Sequence, residues 1–186
     1  MLYHHQIMRD ERGWIHMDGE AKIQKAYQSI LDHDFEQAID WFEQAIELES
    51  DNASYHYKLS ITYGRSGRLS KAIQHAKQAV HLQQNQVHLL HLNNLLALEL
   101  VQEAEKNIQE GSESSYYMAV SLAAKAAELD PLSTEALLVL ALAYAGTQEY
   151  NQAMQTLREL LKLDPHHESA QHLLQEYTKL HSYLQS

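Results

Sequence analysis

An alanine returns along this chain at a fixed interval. It stands at Ala38, Ala72, Ala119 and Ala153, each time after a turn-like stretch and near the head of a helical pattern. The spacings are 34, 47 and 34 residues, so the middle one is a single period with 13 residues added. Small residues at a period near 34 predict stacked helical hairpins: two helix backbones can approach closely only over small side chains, and each hairpin leaves an apolar face for its neighbour to cover. A side chain larger than Ala or Ser at such a crossing forces the helices apart at a cost of about 1–3 kcal/mol. A coiled-coil bundle is the competing architecture, but a heptad repeat does not place small residues 34 apart.

Aligned on the alanines, the chain divides into segments 19–52, 53–86, 87–133 and 134–167, and residues 168–185 are left as a first helix without a second. Each segment splits around a polar turn: LDHDF, GRSGRL, GSESS or GTQEY. In the second stretches, apolar or small residues recur with helical spacing, as in Ala38, Ile39, Phe42, Ala45 and Ile46, or Ala119, Leu122, Ala123 and Ala126. LDP occurs at residues 129–131 and 163–165. Proline cannot continue a helix and restricts the residue before it, so both are stops. The 13 extra residues fall between an apolar run and Tyr116. VQEAEKNIQE favours helix, which predicts a first helix extended by about three turns to near residue 109. GSESS then supplies a stop and a cap. The extension is either a solvated end or a lobe for docking or dimerisation. Residues 1–18 form a leader, either unstructured or packing Trp14 and Ile15 onto the first segment.

These residues resemble the tetratricopeptide repeat. The fourth segment carries the pattern best, with Leu137, Leu140, Ala141 and Tyr144, then Ala153, Leu157, Leu160 and Pro165. Only Leu160 departs, standing where alanine is usual. The second segment has Leu59, Ser60, Tyr63, Ala72 and Ala79, with His56, Ala76 and Gln84 as departures. The first keeps Ala26, Ala38, Phe42 and Ala45, but Lys22 and Lys25 occupy apolar positions, which predicts a shifted or irregular first helix. The third keeps Ala119, Ala123, Ala126 and Pro131, and its front half fits two registers one residue apart. The resemblance implies an all-α, right-handed α-solenoid of about four hairpins, with an extended first helix in the third and a closing C-terminal helix.

Composition agrees and excludes several classes. Six glycines and two prolines give little punctuation for a many-stranded sheet, and 45% apolar residues are enough for a core. No cysteine is present, so disulfides, thiolate metal sites and a cysteine nucleophile are out. No basic stretch precedes an apolar run at the N-terminus, and no continuous apolar run reaches 18 residues. A cytoplasmic chain with no membrane span is therefore expected. The net charge of −11 disfavours nucleic acid. The exception is a basic island of Lys58, Arg65, Arg68, Lys71 and Lys77, which either faces acidic neighbours on the first hairpin or forms a patch for an acidic partner segment.

Thirteen histidines raise the question of a metal. His88 and His91 are the one i,i+3 pair on an expected helix, with no third ligand reliably beside them. His167, Glu168 and His172 read H-E-x-x-x-H, one residue too long for the zinc-protease motif, which turns the second histidine about 140° away on a helix. Gly64 and Gly67 flank a helix-hairpin turn and not a phosphate cradle. No catalysis, no metal and no cofactor are expected.

What remains is surface. The resemblance implies that first helices of successive hairpins line a groove that binds a peptide or helix of another protein. Carried over, the lining is Ile23, Tyr27 and Ile30 in the first segment, Tyr57, Lys58, Ile61 and Arg65 in the second, His88, His91 and Leu95 in the third, and Leu138 and Leu142 in the fourth. Such a groove is apolar with aromatic and basic points, suited to a peptide anchored by apolar side chains. Family members that bind the acidic C-terminus of chaperones use a basic clamp, and Ile23 and Tyr27 stand in its first-segment places, so that activity is not supported. An adaptor or co-chaperone-like scaffold is the leading expectation. The alternatives are a self-assembling structural protein, such as a homodimer, and a metal-dependent enzyme.

Overall fold

The computed structural model describes residues 19–184, and the regular structure there is entirely helical. The helices are α1 Gly19–Leu31, α2 Phe35–Leu48, α3 Ala53–Arg65, α4 Leu69–Leu82, α5 Gln86–Glu110, α6 Glu113–Leu129, α7 Thr134–Gly146, α8 Tyr150–Leu163 and α9 Glu168–Leu184. Among the described residues no helix is long and apolar enough to cross a membrane. The leader, with Trp14 and Ile15, lies outside the described residues. The chain divides into two compact units, one ending at Leu92 and the other beginning at Asn93.

In the first unit α1 packs on α2 and α3 on α4 as antiparallel hairpins, and α2 also touches α3. The predicted crossing positions Ala26, Ala38, Ala45, Ser60, Ala72 and Ala79 are all 0% exposed, so the small residues sit where the helices meet. α1 is a regular 13-residue helix, matching α3 and α7 in length, and not the irregular one expected from its lysines. The reason is chemical: the Lys25 ammonium lies 4.4 Å from the Trp41 ring centre and that of Lys22 5.5 Å from it. Lys22 Nζ also donates to Gln44 Oε1 at 2.7 Å. Long aliphatic stems cover apolar surface while their charged ends sit on an aromatic face.

The hairpin turns share one backbone device. Asp34 N–H donates to the Ser29 carbonyl (2.8 Å), Arg68 N–H to Tyr63 (2.9 Å) and Glu149 N–H to Tyr144 (2.8 Å). Just before each of these donors stands a residue of positive φ: His33 (60°), Gly67 (75°) and Gln148 (63°). This is a left-handed helix stop of the Schellman type. The LDP turns work differently, with Asp130 Oδ1 accepting from Leu132 N–H (3.2 Å) and Asp164 Oδ1 from His166 N–H (3.1 Å).

The second unit holds the insertion. α5 runs 25 residues to Glu110, as the helix-friendly insert predicts. Gly111 then takes φ 70°, and the Ser112 side chain caps α6 by accepting from Ser115 N–H at 3.1 Å. α6 is itself 17 residues, about one turn longer than the 14 of α2, α4 and α8, which the sequence reading did not anticipate. Ala97, Val101 and Ala104 of α5 join Ala119, Ala123 and Ala126 of α6 and Ala136, Val139, Leu140 and Ala143 of α7 in one cluster. Ile108 packs against it, so the extended end still carries an apolar contact. A second cluster joins Leu137 and Ala141 to Ala153, Met154, Leu157 and Leu160 of α8, and to Ala170 and Tyr177 of α9, which closes the apolar face of α8. Leu160, the departure from the alanine rule, is fully buried there beside the small Ala170.

Candidate functional site

The first unit brings most of its expected groove residues together on α1, α3 and the start of α5. Tyr27 of α1 stands edge-on to the buried Phe42, with ring centres 6.1 Å apart and planes at 87°. The Lys58 ammonium of α3 lies 5.4 Å from the Tyr27 ring centre and 5.9 Å from that of Tyr55. One residue earlier on α3, the Tyr57 ring meets His88 at 5.0 Å and His91 edge-on at 5.2 Å. Two contact groups thus follow one another along α3 in a row, Tyr27 with Lys58 and Tyr57 with the two histidines. Ile30 and Ile61 are half-buried and Arg65 is exposed. Ile23 is different: it is 0% exposed and belongs to the packed interior, so it offers nothing to a partner.

The row is fixed from beneath by hydrogen bonds. Ser60 Oγ donates to the Ala72 carbonyl (2.7 Å), which leaves it to accept from His91 Nε2–H at 2.9 Å. Burial, and then the neighbouring His88, push the His91 pKa below the ordinary imidazole value, so His91 is neutral at pH 7. Asn85 Oδ1 accepts from His88 N–H at 2.8 Å and caps the start of α5. His88 Nδ1–H donates to the Gln83 carbonyl at 3.0 Å, and the ring is buried. No group of three or more potential metal ligands is assembled among the described residues.

The basic island separates into two parts. Arg68 pairs with Glu36 at 2.7 Å, and Lys71 reaches the Tyr63 hydroxyl at 3.4 Å, which in turn donates to Glu43. These cations face acidic neighbours on α2. Lys58 and Arg65 have no carboxylate partner among the described residues. In the second unit, Leu95 is buried, Leu138 packs against the α7–α8–α9 cluster and Leu142 is half-buried. The H-E-x-x-x-H residues serve apart: His167 Nδ1 accepts from Ala170 N–H at 3.3 Å at the head of α9, and His172 is exposed beside Glu176 at 4.0 Å.

Sequence reading missed Tyr55, which shares the Lys58 ammonium, and the Ser60–His91 bond. The small residue at 60 meets the spacing requirement of the crossing, and its hydroxyl also ties α3 to α4 and α5. No sequence signal marks a hydroxyl of that kind except the choice of serine over alanine.

Comparison with known proteins agrees with this architecture. A family model described as TPR repeat matches residues 34–67, and one described as tetratricopeptide repeat matches residues 115–177. The chain is a tetratricopeptide repeat protein. No curated protein sequence matches it. Among solved structures, this repeat protein superposes on a MamA RS-1 double mutant with a TM-score of 0.56 at 15% identity, covering 88% of this chain and 85% of that one. MamA AMB-1 gives 0.55 at 18% identity, covering 88% and 82%. MamA residues 41 to the end, from Desulfovibrio magneticus RS-1, gives 0.52 at 15% identity, covering 90% and 97%. Likeness at that identity shows a shared fold, the α-solenoid of helical hairpins, and assigns no partner.

Proposed function

We propose that this tetratricopeptide repeat protein is a non-catalytic interaction module whose first unit binds a peptide or helix of a partner along the α1–α3–α5 row. The observation that carries the reading is Lys58. Its ammonium rests on two tyrosine rings, with no carboxylate partner among the described residues, in a chain of net charge −11. A cation presented this way is available to a carboxylate on the partner, and Tyr57, Ile61 and Tyr27 offer apolar area on either side of it. Arg65 is the last residue of the same helix and adds a second cation with no carboxylate partner among the described residues. Leu138 and Leu142 contribute a separate apolar surface on the second unit.

The test is affinity capture from the native cell by the full chain, by Tyr57→Ala and by the double variant Lys58→Glu, Arg65→Glu. Both variants fold with unchanged helical circular dichroism and lose the captured protein. Capture of the same protein at the same level by both variants overturns the reading. Light scattering on the free chain separates it from self-assembly: a stable dimer that shields Tyr57 from modification favours a homo-oligomer instead.

A further inference from the structure

We propose that the α3–α4 hairpin is a proton-sensitive element, held shut by a neutral His56–His75 pair and loosened on mild acidification. His56 was a departure from the repeat pattern, polar where a large apolar residue is usual. It is buried, and its Nδ1 lies 3.0 Å from Nδ1 of His75 across the hairpin. The two rings stack with centres 5.2 Å apart and planes at 24°, and Tyr63 stacks on His75 at 5.6 Å.

Hydrogen-bond accounting fixes the protons. His56 Nε2 lies 3.2 Å from the Ser50 carbonyl, which can only accept, so Nε2 carries hydrogen. In neutral His56 the Nδ1 is then a lone pair, and His75 Nδ1–H is the donor of the 3.0 Å bond. With both rings neutral, each nitrogen in these contacts has the correct complement. A first added proton goes to His75 Nε2 and leaves the bond in place, but it puts a cation in a half-buried site. A second proton makes both Nδ1 atoms donors at that short separation, and the bond is lost.

The surroundings oppose the first proton. Burial, the His56 ring and Lys71 of α4 hold His75 below the ordinary imidazole value, outweighing the opposite pull of Glu43 on α2. Tyr63 of α3, the remaining titratable neighbour, stays a protonated donor to Glu43, because burial and that hydrogen bond push its phenol well above the usual value. An imidazole whose pKa falls on folding is protonated first in the opened state. The stability it contributes is complete above pH of about 6.5 and is lost as pH falls below that.

Amide hydrogen exchange on the full chain, corrected for the intrinsic pH dependence of exchange, tests this. The opening constants of α3 and α4 amides rise between pH 7 and pH 5.5, by at most about eightfold for one imidazole of ordinary value in the opened state, those of α8 stay level, and His75→Gln abolishes the rise. A flat response of α3 and α4 in the native chain overturns the proposal, as does an equal rise in His75→Gln. If His75→Gln does not fold, the imidazole resonances of the native chain decide. A His75 titration that falls below the ordinary imidazole value and coincides with α3–α4 opening supports the proposal. Protonation of His75 at the ordinary value, with no change in α3 or α4, overturns it.

Discussion

Gly146→Ala should change sign with the residue opposite it. Gly146 is the last residue of α7 in ordinary helical geometry, and a Cβ built on it would fall inside the ring of Tyr116 on α6. Two effects compete. Alanine is the better helix residue and is favoured by up to about 1 kcal/mol. Overpacking against an aromatic ring costs about 1–3 kcal/mol, because the obstruction is the ring body and not a flexible tip. Tyr116 is half-buried, so it can yield only by giving up contact with its surroundings. The net expectation is a loss of about 1–2 kcal/mol, or roughly 2–8 °C in melting temperature for a chain of this size. In a Tyr116→Ala background the obstruction is gone, and Gly146→Ala should then stabilise by about 0.5–1 kcal/mol. The coupling energy is therefore about 2 kcal/mol, well above the additivity error of distant sites. Urea unfolding of the four chains of this cycle, followed by amide exchange at α7, gives the number. Stabilisation by Gly146→Ala in both backgrounds, or an equal loss in both, refutes the steric argument.

The positive-φ turn residues give an independent check: Gln148→Gly and His33→Gly should each stabilise by about 0.5–1 kcal/mol, while Gly67→Ala should cost about 1 kcal/mol, as read by chemical unfolding. Ser60→Ala removes the bridge between the Ala72 carbonyl and His91 and should cost about 1–3 kcal/mol, with no loss of helix content at 222 nm. Tyr177 is pushed up to about 12 by burial and then by Glu176 and Tyr150. Its phenol is retained in the fold when unfolded phenols ionise, so stability falls as pH rises above about 10. The 295 nm titration of the native chain minus that of Tyr177→Phe should show one phenol titrating late.

The parts of this fold that are legible in the sequence are those governed by local sterics. Ala26, Ala38, Ala72, Ala119, Ala141 and Ala153 are buried at the crossings because nothing larger fits, and that exclusion leaves a period that can be read directly. Gly111 and Ser112 announce the end of α5 for the same local reason. The candidate site was legible only as a set of helix faces. Tyr27 meets Lys58, and Tyr57 meets His88 and His91, but Ile23, chosen by the same positional rule, is interior. Position on a helix fixes direction to within a sector, and the depth of a side chain depends on what lies over it. The histidine pair was legible as an anomaly at residue 56, with its partner 19 residues on supplied by hairpin packing that no local pattern encodes.

The third segment departs from the 34-residue frame, and α5 gives the physical reason. The helices that open the other hairpins, α1, α3 and α7, are each 13 residues, and the insertion is also 13. α5 at 25 residues is close to twice that length. Its first residues serve α3: His88 and His91 meet Tyr57 and Ser60 within the first unit. Its later residues serve α6: Ala97, Val101 and Ala104 share a cluster with Ala119, Ala123 and Ala126 within the second. One helix thus satisfies two sets of packing demands in succession, and the small residues that share the α6 cluster, Ala97 and Ala104, come after Asn94, where a single 34-residue frame from Ser60 would place one. The apolar run from Val87 to Leu100 therefore holds the end of one packing frame and the beginning of the next. On this account the boundary between the units at Leu92 is set by which neighbour each turn of α5 packs against, and not by any break in its backbone hydrogen bonding.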